Sequence, residues 1–475
     1  MAESTRQSVL FGDAFSKPLT VAFDGDMQSS DGGLVLLGAL DRGIGLSARL
    51  VRLLTDPRES LKVRHGIPEL FRQRVFSIAA GYADCNDAAV VGNDPVLKEV
   101  CGRGVDGAAL ASQPTLSRFE NAWVEGKHAN RLARARELVR MGREFEDFVV
   151  EQHRKRLGRR AKLVTIDLDP TDDPTHGQQA FTFFNGHYDT WCYLPLLGFL
   201  TFNNEPDQFL CVSRLRPGNA TAPRNSFPVL RRLVAKLRAA FPKATIRVRL
   251  DGGFACPRTF ALLEELGVEY VVGLPGNKRL DRLAGRLRRD ARVLQKASGK
   301  AEQVFGETLY RPKKKSKKKP WLSWPRRRRV VVKAEVVTIF GSDPRDNTRY
   351  VVTNMKLRPE AIYEIYRVRG ESENRIKELH HGLEFDRTSC SGFLGNQLRL
   401  LATATAYVLF QELRLRMSRT ELARAQVSML RDRLLKIGAR VFKSVRRIVL
   451  HFPAAYPWQD LWRAVACKVG AVTAC

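Results

Sequence analysis

The sequence predicts a mixed α/β fold, and three observations support this prediction. The chain has 475 residues, of which 44% are apolar, so it can bury a sizeable core. Residues 161–274 show a strand-rich pattern in which helices separate the later strands. Helical periodicity dominates the segments before and after that region. Together these patterns predict one mixed sheet flanked by helical regions.

The central region has the most specific pattern. Three strands come first, followed by helix, strand, helix and strand; the strands are expected at 161–168, 193–202, 208–215, 245–250 and 268–274, and the helices at 227–241 and 256–267. This order suits a ribonuclease-H-like sheet, although many other α/β folds begin similarly. Before it, residues 34–155 look helical after a short strand at 19–26. After it, a helix is expected from Pro359 to about Leu383, and helical patterns return at 394–417 and through most of 418–450.

The charge of the chain indicates a polyanionic partner. Lys and Arg number 80 against 50 Asp and Glu, which gives a formal charge of +30. Such an excess is unusual for an enzyme of small metabolites, because it attracts polyanions indiscriminately. Nucleic acid is the favoured partner, and an anionic membrane surface is the lesser alternative. The N-terminus has no signal-peptide pattern, no apolar run reaches the ~20 residues that span a bilayer, and the cysteines form no C-x-x-C pair. A cytoplasmic protein with no membrane partner is therefore expected.

The densest positive charge lies at 311–329, where eleven of nineteen residues are Lys or Arg and none is acidic. A charge run of this kind is most often a solvated loop. As a DNA contact it would bind phosphates without reading sequence, and its tryptophans would stack on unpaired bases. The candidate DNA-binding residues of this run are Lys313, Lys314, Lys315, Lys317, Lys318, Lys319, Trp321, Trp324, Arg326, Arg327, Arg328 and Arg329.

Acidic side chains lie where metal-dependent phosphodiester chemistry would need them. Asp167 and Asp169 end the first strand of the central region, on the same face of it. Asp251 follows the strand 245–250, and Glu373 lies on the helix that starts near residue 359. Carboxylates are ligands that Mg²⁺ prefers, and two ions about 3.5–4 Å apart can hold the attacking and leaving oxygens of a phosphodiester. Alternation alone does not decide between Asp167 and Asp169.

The helix around Glu373 carries a polar stripe. Its members are spaced 3, 4, 4 and 3 residues apart, which places them on one side of a helix: Tyr366, Arg369, Glu373, Lys377 and His380. One carboxylate among a phenol, two cations and an imidazole suits a metal ligand flanked by phosphate-binding groups. The alternative is a solvated face with ion pairs from Glu373 to Arg369 and to Lys377.

These residues resemble a known family, the DDE transposases of bacterial insertion sequences. Tyr366-x2-Arg369-x3-Glu373-x6-His380 is similar to the family's Tyr-x2-Arg-x3-Glu-x6-Lys signature at three of four positions. Asp251-Gly-Gly-Phe resembles the motif of the family's second Asp, and Asp169-Pro-Thr resembles Asp-x-Ser/Thr at its first. Segments 81–87, 172–178 and 186–189 resemble one subfamily, and the whole resemblance spans roughly residues 20–415.

The resemblance implies an activity as well as a fold. It implies a ribonuclease-H-like catalytic domain with a β-rich insertion before the catalytic Glu, and two Mg²⁺ or Mn²⁺ ions per active site. It also implies binding to double-stranded DNA (the terminal inverted repeats and the target), a homodimer in the synaptic complex, and cleavage followed by strand transfer. Carried over, the catalytic and metal-binding residues are Asp169, Asp251 and Glu373, with Asp167 as an additional candidate ligand.

His380 is the departure from the family, which has Lys at that position. Tyr366, Arg369, Lys377 and His380 would contact DNA near the cut. A neutral His attracts a phosphate less than Lys does but still hydrogen-bonds or stacks, and whether Lys377 replaces it stays open. Two other functions are therefore kept: an inactive DNA-binding relic of a transposase, and a metal-dependent nuclease without strand transfer.

His187 and Asp189 are polar residues of segment 186–189. For both of them, ordinary turn chemistry is favoured over metal binding.

Five regions follow from the patterns and the resemblance together. They are an N-terminal, mostly helical, DNA-binding region at 1–155, the first part of the catalytic domain at 156–275, a β-rich basic insertion at 276–354, the second part of the catalytic domain at 355–415, and a basic helical C-terminal region at 416–475. In the first region, residues 110–121 predict a helix start with a proline in its first turn. That helix either docks in a DNA groove or forms an ordinary helical junction.

Overall fold

A computed structural model describes residues 9–11, 16–22, 24–121, 128–312, 324–338 and 343–472. The chain divides into two compact units. The first comprises Met1–Ala122, Gly382–Glu384 and Thr405–Cys475, and the second comprises Trp123–His381 and Phe385–Ala404. None of the described helices combines the length and the apolar character needed to cross a membrane.

The second unit is built on a mixed sheet of eight strands. Numbered in chain order, they are β1 (Leu163–Pro170), β2 (Leu196–Phe202), β3 (Phe209–Arg214), β4 (Thr245–Leu250), β5 (Glu269–Leu274), β6 (Glu302–Tyr310), β7 (Arg328–Val337) and β8 (Arg345–Thr353). Their order across the sheet is β6-β7-β8-β5-β4-β1-β2-β3. The strands β1, β4 and β5 are parallel, and β2 and β3 are antiparallel to their neighbours. The order 3-2-1-4-5 confirms the predicted ribonuclease-H-like sheet.

The register of β1 and β4 positions the two strand-end acids. Leu168 of β1 pairs with Leu250 of β4 in the parallel ladder. Asp169 and Asp251 are the next residues, so they lie at the same carboxyl edge of the sheet, where Asp169 still pairs with Leu197 of β2 and Asp251 follows β4. In open α/β sheets, ligands bind at this edge, because the strands there hand over to loops that can present side chains.

Helices cover both ends of this unit. They are His128–Leu157, Ser226–Ala240, Pro257–Glu265, Lys278–Leu283, Gly285–Ser298, Pro359–Arg367 and Gly370–Leu383, with short 3₁₀ turns at Gly158–Arg160 and Gly252–Phe254. The periodicity assigned the first of these to the N-terminal region, but it packs on β3: the His153 ring lies 4.0 Å from the Phe209 ring. The compact unit that contains the sheet therefore starts earlier than residue 156.

The segment between β5 and β8 is less purely β-rich than predicted. Its first part forms the helices Lys278–Leu283 and Gly285–Ser298, and only then do β6, β7 and β8 follow. The side chain of Leu287 fills the space above Gly306, where a Cβ would lie 2.7 Å from a leucine methyl. These strands extend the main sheet through antiparallel pairing of β8 with β5, so the insertion shares the core of the catalytic domain.

The first unit is mostly helical, as predicted for the N-terminal region. Its helices are Val35–Ile44, Leu46–Val51, Ile67–Ala80, Ala88–Val91, Pro95–Cys101, Gln113–Asn121, Val427–Leu430, Arg431–Leu435 (a π-helix) and Gln459–Lys468, with 3₁₀ turns at Gly32–Leu34, Ser60–Lys62 and Glu421–Arg424. The helix Phe393–Arg416 starts in the second unit and ends in this one. A two-stranded ladder joins Val9–Phe11 to Leu19–Val21.

The helical prediction for 418–450 is wrong for much of that segment. After three short helical turns the chain forms the strands Ala439–Lys443 and Ile448–His451, and the first of these pairs with Gln28–Ser29. Ala439 and Val441 alternate inward, which is a strand pattern too short to be separated from the helical periodicity around it. A tertiary partner decides such segments, because a strand needs a neighbour for its backbone hydrogen bonds.

A close backbone contact in the first unit gives a stability prediction. A Cβ on Gly33 would lie 1.7 Å from the carbonyl oxygen of Leu434, whereas a Cβ on Gly43 would meet nothing within 4 Å. We expect Gly33→Ala to lower the free energy of unfolding by about 2–3 kcal/mol, because the backbone must shift. The control Gly43→Ala lies within a helix and should raise it by up to about 1 kcal/mol. Urea denaturation measures both; equal effects would contradict the prediction.

Candidate active site

Two carboxylates meet where β1 and β4 end. Asp169 is buried near the end of β1, and Asp251 directly follows β4. Asp251 caps the 3₁₀ turn that follows it, and its Oδ1 accepts a hydrogen bond of 3.0 Å from the backbone N–H of Gly253. The turn fixes this carboxylate beside Asp169 instead of letting it extend into solvent.

Glu373 reaches the same place because the helical segment 359–383 is broken. The structure has two helices, Pro359–Arg367 and Gly370–Leu383, where periodicity predicted one. Val368 and Gly370 favour the helix less than most residues, and the chain turns between them. The predicted single stripe is thus interrupted, and the break sets Arg369 between the sheet edge and the helix that carries Glu373.

Arg369 links the carboxylates. Its Nη1 lies 2.7 Å from Oδ2 of Asp169, and its Nη2 lies 2.6 Å from Oε1 of Glu373. The hydroxyl of Ser372 also donates to Oδ2 of Asp169, at 3.2 Å. Burial alone would lower the pKa of Arg369, but the surrounding acids outweigh burial and raise it above the usual value. The guanidinium is therefore the fixed positive charge of the site.

Asp169 holds its proton more tightly than an ordinary Asp does. Burial raises the pKa of Asp169 to about 7; the positive charge of Arg369 opposes this rise, and the negative charges of Asp251 and Glu373 add to it. Burial likewise raises the pKa of Asp251, against the effect of Arg369. One guanidinium thus leaves three carboxylates short of positive charge, which is the electrostatic condition of a cation site.

Asp167 has a different position. Both of its oxygens accept hydrogen bonds from Arg249, at 2.8 Å from Nε and 2.7 Å from Nη2, and the residue is 1% exposed. These two residues are partners in the parallel register of β1 and β4. Arg249 also donates to the carbonyl of Ile365, at 3.1 Å. The signal was present in the sequence: an Arg stands two residues before Asp251, as Asp167 stands two residues before Asp169.

Two further residues of the motif differ in exposure, since His380 is partly buried and Lys377 is exposed. His380 is held between two groups, with Nε2 3.2 Å from the Thr171 hydroxyl and Nδ1 3.3 Å from Oδ2 of Asp386. Lys377 is exposed, and within the described part of the chain it makes no ion pair with Glu373. Of the two helical ion pairs considered from the sequence, the structure contains the one between Arg369 and Glu373.

A hairpin turn brings two further residues towards the acids. Burial, together with the negative charges of Asp172, Asp169 and Asp251, raises the pKa of Tyr188 to about 12. His187, its neighbour on the same turn, has an electrostatic effect that lowers the pKa of Asp251. The sequence predicted only turn chemistry for His187 and no individual role for Tyr188. Asp189 has a left-handed backbone, with φ of 53°, which fits the predicted turn chemistry.

The basic run is only partly described. Lys313, Lys314, Lys315, Lys317, Lys318, Lys319 and Trp321 lie outside the described residues. Trp324 lies within them and is 4% exposed. Its ring packs against Phe260 at 4.9 Å and Tyr310 at 5.8 Å between centroids. It therefore offers no open face to a base, contrary to the expectation from its cationic neighbours.

The four arginines that end the run differ in burial and in whether they pair with an acidic side chain. Arg328 is buried and pairs with Glu264 at 2.8 Å, and the exposed Arg326 pairs with the same carboxylate at 2.9 Å. Arg329 pairs with Glu307 and with backbone carbonyls. Arg327 is exposed and makes no hydrogen bond or ion pair to another described residue. A sequence count of charges could not separate cations that hold the fold from those available to a ligand.

The donor set fits divalent cations, although Arg369 lies between its members. Among the described residues, no group of three or more His, Cys, Asp and Glu side chains is arranged to hold a metal ion. Asp169, Asp251 and Glu373 nevertheless supply hard oxygen donors near the single guanidinium of Arg369, which is the ligand type that divalent cations prefer.

Comparison with known proteins agrees with this geometry. A family model described as transposase DDE domain group 1 matches residues 11–473. The chain belongs to this family. DDE transposases bind DNA, act as nucleases and transesterases, and generally use divalent metal ions. No curated protein in the comparison matches the chain.

The two Asp residues of β1 should respond differently to neutralisation. Asp167→Asn leaves the buried guanidinium of Arg249 without a counter-charge, so we expect a loss of about 3–5 kcal/mol in the free energy of unfolding. Asp169→Asn should cost less than about 1 kcal/mol near neutral pH, because Asp169 already holds its proton there part of the time. Urea unfolding of both variants measures this; a larger loss for Asp169→Asn would refute the distinction.

Asp169 also makes stability depend on pH in a defined direction. Its pKa is about 7 in the folded chain, whereas an unfolded Asp titrates near about 3.9. Between these values the folded state binds more protons, so stability falls as pH rises from about 4 to about 7. Asp169→Asn lacks this titration, and its stability relative to the wild type should increase across that range. Urea unfolding at several pH values, without divalent ions, measures the difference; a constant difference would disprove the expectation.

Proposed function

We propose that this chain is a transposase that binds the ends of its insertion sequence, cuts them and joins them to target DNA. One observation carries the proposal: Asp169, Asp251 and Glu373, from two strands and a helix far apart in sequence, meet around Arg369 at the carboxyl edge of a ribonuclease-H-like sheet. Such an arrangement has no evident structural purpose, because it concentrates negative charge that destabilises the fold.

The acids have a defined task in this proposal. Asp169, Asp251 and Glu373 would hold two Mg²⁺ or Mn²⁺ ions. Such ions, when bound, activate water and stabilise the charge that develops on the phosphodiester oxygens. Asp169 gives up its proton as cations bind, because a ligand must be deprotonated. Asp167 is not a ligand in this proposal, since both its oxygens accept from Arg249.

Arg369 changes partners when DNA is present. In the free protein it neutralises Asp169 and Glu373. If cations neutralised these carboxylates, the planar guanidinium of Arg369 would be free to donate to phosphate oxygens near the cut. Tyr366, whose ring centroid lies 6.0 Å from the guanidinium carbon, orients Arg369 from the other side. Exposed Lys377 and Arg327, with the lysines of 313–319, supply phosphate contacts that do not depend on sequence.

Two copies of the chain would pair the two ends of the element in one synaptic complex, in the bacterial cytoplasm. An inactive DNA-binding relic is the second candidate function, and His380 is the observation that favours it. Both of its ring nitrogens already face protein groups, Thr171 and Asp386, so it is a weaker DNA contact than the family's Lys. Mg²⁺-dependent nicking by the wild-type protein would eliminate the relic, and products joined to target DNA would eliminate a simple nuclease.

Removing single carboxylates tests the catalytic assignment. We expect Asp251→Ala and Glu373→Ala each to lower the cleavage of element-end DNA at least about a thousandfold in Mg²⁺, because each removes a metal ligand. The affinity for the same DNA should change only a few-fold, since phosphate contacts lie on other residues. A gel assay with end-labelled duplex and a binding titration give the two quantities.

Glu371→Gln is the matched control. Glu371 lies on the same helix as Glu373 and is exposed, but its partner is Asn374 and not Arg369. This variant should cut DNA as the wild type does. Undiminished cleavage by Asp251→Ala or Glu373→Ala would refute the catalytic assignment.

A further inference from the structure

Two exposed aromatic rings lie on a hairpin in the segment between β1, which carries Asp169, and β2. The strands Phe183–Asn185 and Thr190–Tyr193 form a hairpin, named here the aromatic hairpin, which belongs to a small three-stranded sheet. Phe184 and Trp191 are cross-strand partners whose ring centroids lie 6.4 Å apart. Their exposed fractions are 51% and 58%. Large rings exposed together usually mark a binding surface, because water disfavours them.

The base of the aromatic hairpin is firmly attached. Asn185 donates to the carbonyl of Gly218 at 2.9 Å, and the Tyr193 hydroxyl donates to the carbonyl of Ala180 at 2.9 Å. A Cβ on Gly218 would lie 2.0 Å from the carbonyl oxygen of Cys192, so the loop beneath is in close backbone contact. Exposure of the two rings is thus a property of an ordered element.

The hairpin lies at the active site by topology. Pro170, next to Asp169, pairs with Leu196, three residues after the hairpin ends. The backbone N–H of Thr171 donates to the carbonyl of Pro195 at 3.1 Å. Asp173 and Pro174, which follow Asp169 closely in the chain, pair with Tyr193 and Cys192 of the hairpin. A DNA strand held at Asp169 and Asp251 would pass the aromatic rings.

The charge of the hairpin region indicates whether it would contact the phosphates or the bases of DNA. The chain has 80 Lys and Arg residues, yet residues 163–213 contain none. A hairpin that carries no cation of its own offers phosphates no direct partner. Aromatic rings instead stack on the faces of bases, and those faces are accessible only where bases are unpaired or unstacked. A second copy of the chain could also cover two rings, but a stable protein interface needs about 1,000 Å² or more in total.

We propose that Phe184 and Trp191 form a stacking surface for unpaired bases next to the cut. This inference rests on the proposed function, and it adds a base-binding site of defined chemistry to the transposase active site. The ligand is a single-stranded nucleotide segment at the element end, contacted through its bases. Phosphate contacts would come from elsewhere in the chain.

The test measures binding in a protein that cannot cut. In an Asp251→Ala background, two labelled probes are compared: a duplex of the element end, and the same duplex with four unpaired nucleotides at the cut position. We expect tighter binding of the partly unpaired probe. Adding Phe184→Ala and Trp191→Ala should reduce that preference about tenfold, and should leave duplex affinity within about twofold. 2-Aminopurine at the unpaired position should be quenched on binding only when the rings are present.

Control variants keep the outcome interpretable. Trp191→Phe retains a ring and should retain most of the preference. Phe442→Ala removes an exposed ring, 41% exposed, from a strand of the first unit, and should leave the preference unchanged. An unchanged preference in the Phe184→Ala/Trp191→Ala protein would overturn the proposal. The proposal would also be overturned if these substitutions disrupted a dimer of the chain and left the preference for unpaired DNA unchanged. Because no cleavage is measured, failure here is separate from failure of the carboxylate variants.

Discussion

Three carboxylates meet at one edge of a sheet, and the guanidinium of Arg369 is what allows them to do so. It contacts Asp169 at 2.7 Å and Glu373 at 2.6 Å, and it acts on the pKa of Asp251. Its position depends on the helix break after Arg367, which turns its side chain towards the sheet. Burial raises the pKa of Asp169 to about 7, and the charges of Asp251 and Glu373 add to the rise that Arg369 opposes.

A second ion pair in the same sheet has the opposite role. Asp167 and Arg249 face each other in register, buried and fully paired, and Arg249 also holds the helix that precedes Arg369. Removing one partner of such a pair is costly, because the other charge stays buried. It ties together the two strands that carry Asp169 and lead to Asp251, which favours a fixed geometry for these carboxylates. Charges two residues apart on one strand thus separate into a structural pair and a reactive site.

The sequence predicted the central sheet well, because its strands are short apolar runs separated by clear turns. It was less successful where partners decide the outcome. Residues 439–443 became a strand because Gln28–Ser29 offers an edge. Trp324 packs on Phe260 and Tyr310, although its cationic neighbours suggested an exposed ring. Local composition sets the intrinsic helix or strand propensity of a segment, whereas tertiary packing decides which conformation it adopts and which residues it contacts.

By itself the sequence determined the fold class, the order of the core strands and the motif carrying Asp169, Asp251 and Glu373, since these follow from periodicity, spacing and family resemblance. Only the tertiary structure decided which charges are free. Asp167 and Arg328 are occupied by ion-pair partners, whereas the rings of Phe184 and Trp191 are exposed. The physical reason is that desolvation and pairing depend on neighbours far away in the chain, which no local pattern records.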